Sequence, residues 1–376
     1  MLESFYSYQK LKNDLYNMKK EFPFLEMGSI GKSVLGKEIL YIKIGVGKKK
    51  IFYSGAYHAN EWITSPLLVK FAKEYALRYV KNIKMINVNS RQLFENTCLY
   101  IVPMVNPDGV DLVNYGLEKF INNMEKNNDV EKNNNEENDC NREKNEELFT
   151  VLEENVDNSS LKLGIIEKLS RIENLSRIEI KRRFEIKRKI KIKRKIEEVK
   201  KVAKNYPDIL FPKGWKANID GIDLNLQYPA GWENAKKIKF AQGFDKPAPR
   251  DYVGKKPLEA KEAIAIYNFT KKHNFEMVIA YHTQGKEIYW KFGECTPKKS
   301  EKIGKKFSEF SGYKLADVPY NSSFAGYKDW FIQEFNKPGY TIEAGIGENP
   351  IQMEQFEEIW KDNFGILGLG IEEIIN

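Results

Sequence analysis

Apolar residues fall into short, regularly spaced groups over residues 1–117 and again from about residue 203 onward; between these stretches they thin out. Leu11–Phe22 has helical apolar spacing. Ile39–Ile44 and Lys50–Gly55 are strand-length runs on either side of the turn GVGKKK. Ser65–Tyr79 carries Leu67, Leu68, Phe71 and Tyr75 at the spacing of one helix face. Thr97–Val105 reads as a buried strand, ended by a turn, NPDG, at Asn106–Gly109. In the later stretch Met277–Tyr281 and Tyr340–Ala344 read as strands. Leu258–Lys271 and Pro297–Phe310 read as helices, and Gln355–Glu373 as one helix or two. Strands and helices mixed in this way predict a single α/β domain, residues 1–117 with 203–376, interrupted by an insert over 118–202.

The insert has two parts. Asn, Glu and Lys dominate its beginning, NNMEKNNDVEKNNNEENDCNREKNEE, which has too few apolar residues to form a core and is expected to be disordered. A hexad repeat then runs from Leu169 to Glu198 with its apolar residues at even-numbered positions. Those positions share one face of a strand, whereas a helix spreads them over three faces, because six residues advance about 600°. The composition favours a helix, and the pattern alone leaves the conformation open.

Much of the net charge of +8 lies in Lys181–Lys195. That density makes 181–195 a weak candidate for binding a polyanion, and it lacks the interleaved aromatics of a nucleic-acid stacking platform. A solvated, inert insert is the preferred reading. No apolar run reaches the roughly 18 residues of a membrane span, and the start of the chain lacks the apolar core of a secretory signal. Cys98, Cys140 and Cys295 are scattered and form no CxxC pair. These features fit a cytoplasmic location.

Candidate chemistry centres on the histidines, of which there are three: His58, His273 and His282. His58 and His282 end the apolar runs IFYSGAY and MVIAY, where strands of an α/β sheet empty into loops. Glu61 follows His58 at i+3, so one tight turn can aim both groups at one point. With His282 they make two nitrogens and a carboxylate, a set suited to a catalytic zinc with one position left open. Taken singly, a His-x-x-Glu pair is more often a surface ion pair, and His282 more often a satisfied core histidine. His273, in KKHNF, reads as an exposed helix-end residue.

The surrounding motifs resolve the ambiguity. SIGKSVLGKEILYIKIG, FYSGAYHANEWITSPLL, VPMVNPDGVDLV, WKANIDGIDLNLQYPAGWE, AYHTQGKEIYW and GYTIEAGIGENP occur in that order. Together they resemble the zinc carboxypeptidase family, and HANEW, PAGWE, HTQG and GENP resemble its bacterial branch of γ-D-glutamyl–L-diamino acid peptidases. The resemblance covers nearly everything outside the insert. It implies a mixed, mostly eight-stranded twisted sheet flanked by helices, and one Zn2+ per chain held by His58, Glu61 and His282. Glu343, in YTIEAG, matches the glutamate that takes a proton from the attacking water and passes it to the leaving amine. Lys216 falls where the family carries an arginine facing the developing oxyanion; lysine keeps the charge and loses the bidentate fork. Tyr320 lies near the place of the mobile tyrosine that caps the substrate, with Tyr327 the alternative.

One departure bears on specificity. Carboxypeptidases carry Asn-Arg where this chain has Asn225-Leu226, and that arginine clamps the terminal carboxylate of the substrate. Leucine cannot, so a simple C-terminal exopeptidase is disfavoured. The resemblance implies hydrolysis of the γ-D-glutamyl–diaminopimelate bond of peptidoglycan peptides, with a murein peptide as substrate. Asn225, Gln227, Gln284 and Lys286 are candidate substrate contacts. The alternative is a zinc carboxypeptidase or amide deacylase of other specificity, and beyond that a non-catalytic polyanion-binding protein.

Overall fold

A computed structural model describes residues 5–130, 186 and 189–375. The chain divides into two compact units, Met1–Leu117 with Glu198–Asn376, and Glu118–Glu197. The beginning of the Asn/Glu-rich tract, residues 122–130, expected to be disordered, is helical; the rest of that tract and most of the hexad repeat lie outside the described residues. Residues 189–205 are helical. Ile192, Ile196 and Val199 are buried while Ile190 is exposed, which is the i, i+4, i+7 spacing of a helix face.

The first unit is built on one eight-stranded mixed sheet in the order β1-β2-β4-β3-β5-β8-β6-β7. Its strands are β1 Glu26–Lys32, β2 Glu38–Ile44, β3 Lys49–Gly55, β4 Thr97–Val102, β5 Met277–His282, β6 Glu287–Tyr289, β7 Lys314–Ala316 and β8 Gly339–Glu343. β4, β3, β5 and β8 run parallel, and the outer pairs β1/β2, β2/β4 and β6/β8 are antiparallel. Every residue of β4 and β5 is buried, as expected for parallel strands covered on both faces.

Helices Tyr8–Glu21, Thr64–Lys81, Ser90–Asn96, Trp232–Ala241, Lys261–His273, Ser300–Ser311, Tyr327–Phe335 and Phe356–Glu373 accompany the sheet. A core of Phe52, Tyr57, Tyr100, Tyr228, Phe269, Tyr327, Trp330 and Phe331 packs beside its central strands.

Two expected boundaries shift for local reasons. NPDG opens a helical stretch, Pro107–Val130, kinked at Gly116 (φ 70°, ψ 167°), rather than closing a strand with a turn. Asn106 caps it, its Oδ1 accepting from Gly109 N at 3.1 Å, and Pro107 takes the first helical position, where no N–H is missed. The helix expected from Leu258 begins at Lys261, because Leu258 has left-handed backbone (φ 53°).

Candidate metal centre and active site

The parallel strands place the chemistry at their C-terminal ends. β3 ends at Gly55 and delivers His58 and Glu61, β5 ends at His282 and β8 at Glu343. His282 and Glu343 are register partners on neighbouring strands. This is the edge at which open α/β sheets bind ligands.

The turn carrying His58 and Glu61 is tightly specified. Ala56 is left-handed (φ 49°), an unfavourable conformation for a residue with a Cβ. Thr64 Oγ1 holds it by accepting from Ala56 N at 2.8 Å while donating to Glu61 O at 2.9 Å. Asn106 Nδ2 donates to Tyr57 O and Ala217 O, tying the turn to the loop of Lys216. Ala59 N donates to Lys216 O at 2.9 Å.

His58, Glu61 and His282 converge, with ligand atoms all within 4.8 Å of one another. His58 Nδ1 lies 2.8 Å from Glu61 Oε1, His282 Nδ1 lies 2.9 Å from Glu61 Oε2, and the two Nδ1 atoms are 3.3 Å apart. Two imidazole lone pairs aimed at one point beside a carboxylate call for a cation between them. The donor set and its burial fit zinc. The far nitrogen of His58, Nε2, meets Asp223 Oδ1 at 3.0 Å. A proton on Nε2 leaves Nδ1 bare for a metal, so Asp223 fixes the useful tautomer. The ring of His282 stacks on Tyr57 at 5.4 Å.

Burial works to protonate Glu61, but His58, Lys216 and His282 hold its pKa well below the ordinary carboxylate range. Glu343 is the opposite. Its carboxyl makes no hydrogen bond or ion pair among the described residues. Burial first, and the charge of Glu61 next, push its pKa up to about 8 against Lys216 and His58. A carboxyl that exchanges its proton near neutrality is suited to general acid–base work. Lys216 Nζ sits 3.1 Å from Glu61 Oε1. Burial works against its charge, and Glu61, with Asp223 and Glu343, keeps it protonated.

The other candidates are distributed unevenly. Asn225 Oδ1 accepts from Tyr327 N at 3.0 Å, and no group among the described residues takes its Nδ2. Gln227 is a scaffold residue and not a substrate contact. It is fully buried, donates to Val253 O and accepts from the N–H groups of Glu259 and Ala260. Lys286 is held by Glu358 and Asp362. Gln284 is exposed, two residues beyond His282.

Tyr327 is excluded as a substrate cap: it is wholly buried with its hydroxyl 2.8 Å from that of Thr270. Tyr320 is 70% exposed and packs edge-on against Phe324; no bond joins it to the histidine cluster. His273 is half-buried rather than exposed. It lies among Tyr100, Phe269 and Phe275, and burial first, then Lys50 and Lys272, lowers its pKa to about 4.

Sequence reasoning assigned no role to Asp223 or Asn106, although both stand in the quoted motifs. The available signal was a short polar residue next to an apolar run, at DLN and VNPDG.

Two histidines and a glutamate at the mouth of a parallel sheet, with an unpaired carboxyl beside them, define a metallopeptidase site. The zinc carboxypeptidase family model matches residues 11–162 and 203–365. The chain is 34% identical over 366 residues to a γ-D-glutamyl-L-diamino acid endopeptidase 1 of Lysinibacillus sphaericus, covering 97% of this chain and 72% of that protein. It is 31% identical to an uncharacterised protein of Bacillus subtilis (strain 168), covering 97% of this chain and 77% of that protein. The fold is shared with thrombin activatable fibrinolysis inhibitor, at a TM-score of 0.60, 14% identity and coverage of 99% and 74% of the two chains. The protein belongs to the zinc carboxypeptidase family and is a zinc metallopeptidase with a His58/Glu61/His282 site. No helix among the described residues is long and apolar enough to cross a membrane.

Proposed function

We propose that the protein hydrolyses the amide between the γ-carboxyl of a D-glutamyl residue and an L-diamino acid, diaminopimelate, in peptidoglycan peptides. The observation that carries this reading is Leu226. It packs with Trp232, Ala235, Val253, Ala325 and Phe324 in an apolar cluster, so position 226 offers no guanidinium to the terminal carboxylate of an ordinary peptide. The similarity to an endopeptidase of the γ-D-glutamyl-L-diamino acid type, over nearly the whole chain, points the same way.

When bound, zinc supplies Lewis-acid polarisation of the scissile carbonyl and an acidified water. Glu343 takes the proton of that water onto its carboxylate and returns it to the departing amine of the diamino acid. Lys216 presents its ammonium to the oxygen that gains negative charge. Asn225 Nδ2 and Gln284 bind polar groups of the peptide, and Tyr320, on its exposed turn, covers it. Asp223 keeps His58 in one tautomer and one orientation throughout.

The test is incubation of purified protein with L-Ala-γ-D-Glu-meso-diaminopimelate, with and without a zinc chelator. Release of the diamino acid that stops with chelator is the expected result. Stoichiometric zinc without release would overturn the substrate assignment.

A further inference from the structure

We propose that Arg250 binds a free carboxylate of the substrate through its two terminal guanidinium nitrogens. This rests on the function proposed above.

The placement comes from the backbone. Pro249 O accepts from Lys216 N at 2.8 Å and from Ala217 N at 2.9 Å. Asp251 N donates to Asp223 Oδ2 at 3.2 Å. Arg250 therefore sits between two residues, each tied to a group that touches a metal ligand: Lys216 on Glu61 and Asp223 on His58.

The side chain is anchored on one edge only. Nε donates to Asp251 Oδ2 at 2.5 Å, and Asp251 is itself held by Lys239 at 2.7 Å. Asp251 is left-handed (φ 64°), a conformation uncommon for a residue with a Cβ. Neither terminal nitrogen has a partner among the described residues, and the side chain is 47% exposed. A guanidinium fixed through Nε presents its Nη edge as a ready fork for a carboxylate.

The charge of Arg250 is felt by Lys216 and in turn feels Asp223 and Glu61, so it belongs electrostatically to the cluster. Lys216 is already engaged by Glu61. Lys216 is directed to the metal cluster, whereas the open edge of Arg250 is turned to neither Glu61 nor Asp223 by any bond among the described residues.

L-Ala-γ-D-Glu-meso-diaminopimelate has three free carboxylates: the α-carboxylate of the glutamyl residue and the two of diaminopimelate, one beside the scissile amide and one at the far end. The experiment separates them. Binding of this peptide, and of three versions each amidated at one of these carboxylates, is measured by calorimetry on zinc-loaded Glu343→Gln protein. The same four titrations are made with Arg250→Gln and with Arg250→Lys added. We expect Arg250→Gln to weaken binding of the parent peptide on the order of 10–100-fold. Arg250→Lys, which keeps the charge and loses the fork, falls between. One amidation weakens binding similarly, and combined with Arg250→Gln it weakens binding no further than either change alone, which identifies the carboxylate. Additive losses with all three amidated peptides would overturn the inference while leaving the proposed function in place. A parent peptide that does not bind, and is not cut by the native protein, would overturn both.

Discussion

The first unit buries two ionic clusters, and their contrast separates support from chemistry. One joins Lys37, Asp108, Asp111 and Glu262. Lys37 Nζ bonds Asp111 Oδ2 at 2.7 Å and Pro107 O at 3.0 Å and lies 3.5 Å from Asp108. Asp108 accepts from Leu35 N, Asp111 from Tyr8 N, and Glu262 from Val34 N and Asn218 Nδ2. Each carboxylate here accepts from fixed N–H donors, which is how a buried polar network becomes rigid. The other cluster is His58, Glu61, His282, Lys216 and Glu343. There two ring nitrogens face each other and Glu343 has no partner. The first cluster draws its bonds from the chain's own backbone and side chains, and it steadies Asn218, two residues from Lys216. The second is completed by a metal and a substrate. Burial and charge alone do not mark an active site; two imidazoles and a carboxylate converging on one point do.

Four changes test that contrast, in falling order of effect. His282→Ala removes one of two imidazoles, and zinc measured by atomic absorption should drop to near zero. An unchanged zinc content would take His282 out of the ligand set. Glu343→Gln keeps the shape and loses the titrating group, so zinc should stay while turnover falls roughly 10²–10⁴-fold. Near-native rates would dismiss Glu343 as the base. Asp223→Ala should weaken zinc binding about 10–100-fold in chelator competition, because the tautomer of His58 is no longer held.

The smallest effect lies in the other cluster. Burial first, then Asp108, pushes the pKa of Glu262 up to about 7, above its ordinary value. The folded state then holds this proton more tightly than the unfolded chain. Stability from this group is present below the ordinary carboxylate range and is lost as pH rises towards about 7, by roughly 3 kcal/mol at most. In the presence of chelator, the melting temperature of Glu262→Gln should fall less over that window than that of the native protein. Parallel curves would show that Glu262 is ionised throughout.

The sequence was most legible where burial is continuous. β3, β5 and β8 are apolar runs that lead into or end at His58, His282 and Glu343, so strands and site residues could be read together. β1, with the sequence EMGSIGK, carries no such run and is held by its pairing with β2. β6 and β7 are three residues each, too short for any period to register. The helix Trp232–Ala241 escaped because a left-handed Gly231, rather than a capping side chain, precedes it. Gln227 was misjudged because a polar residue between apolar neighbours looks the same in sequence whether it faces a ligand or a backbone. Asp223 and Arg250 depend on contacts between residues far apart in the chain, which no local pattern carries.

The pairing of His282 with Glu343 makes the sheet a measuring device. A metal ligand and a proton carrier stand side by side because β5 and β8 are aligned residue by residue. Side chains alternate faces along a strand, so a slip of one position in β8 would turn Glu343 to the far face. A single residue added to β8 between Gly339 and Glu343 would therefore silence the enzyme while leaving every functional side chain in the chain.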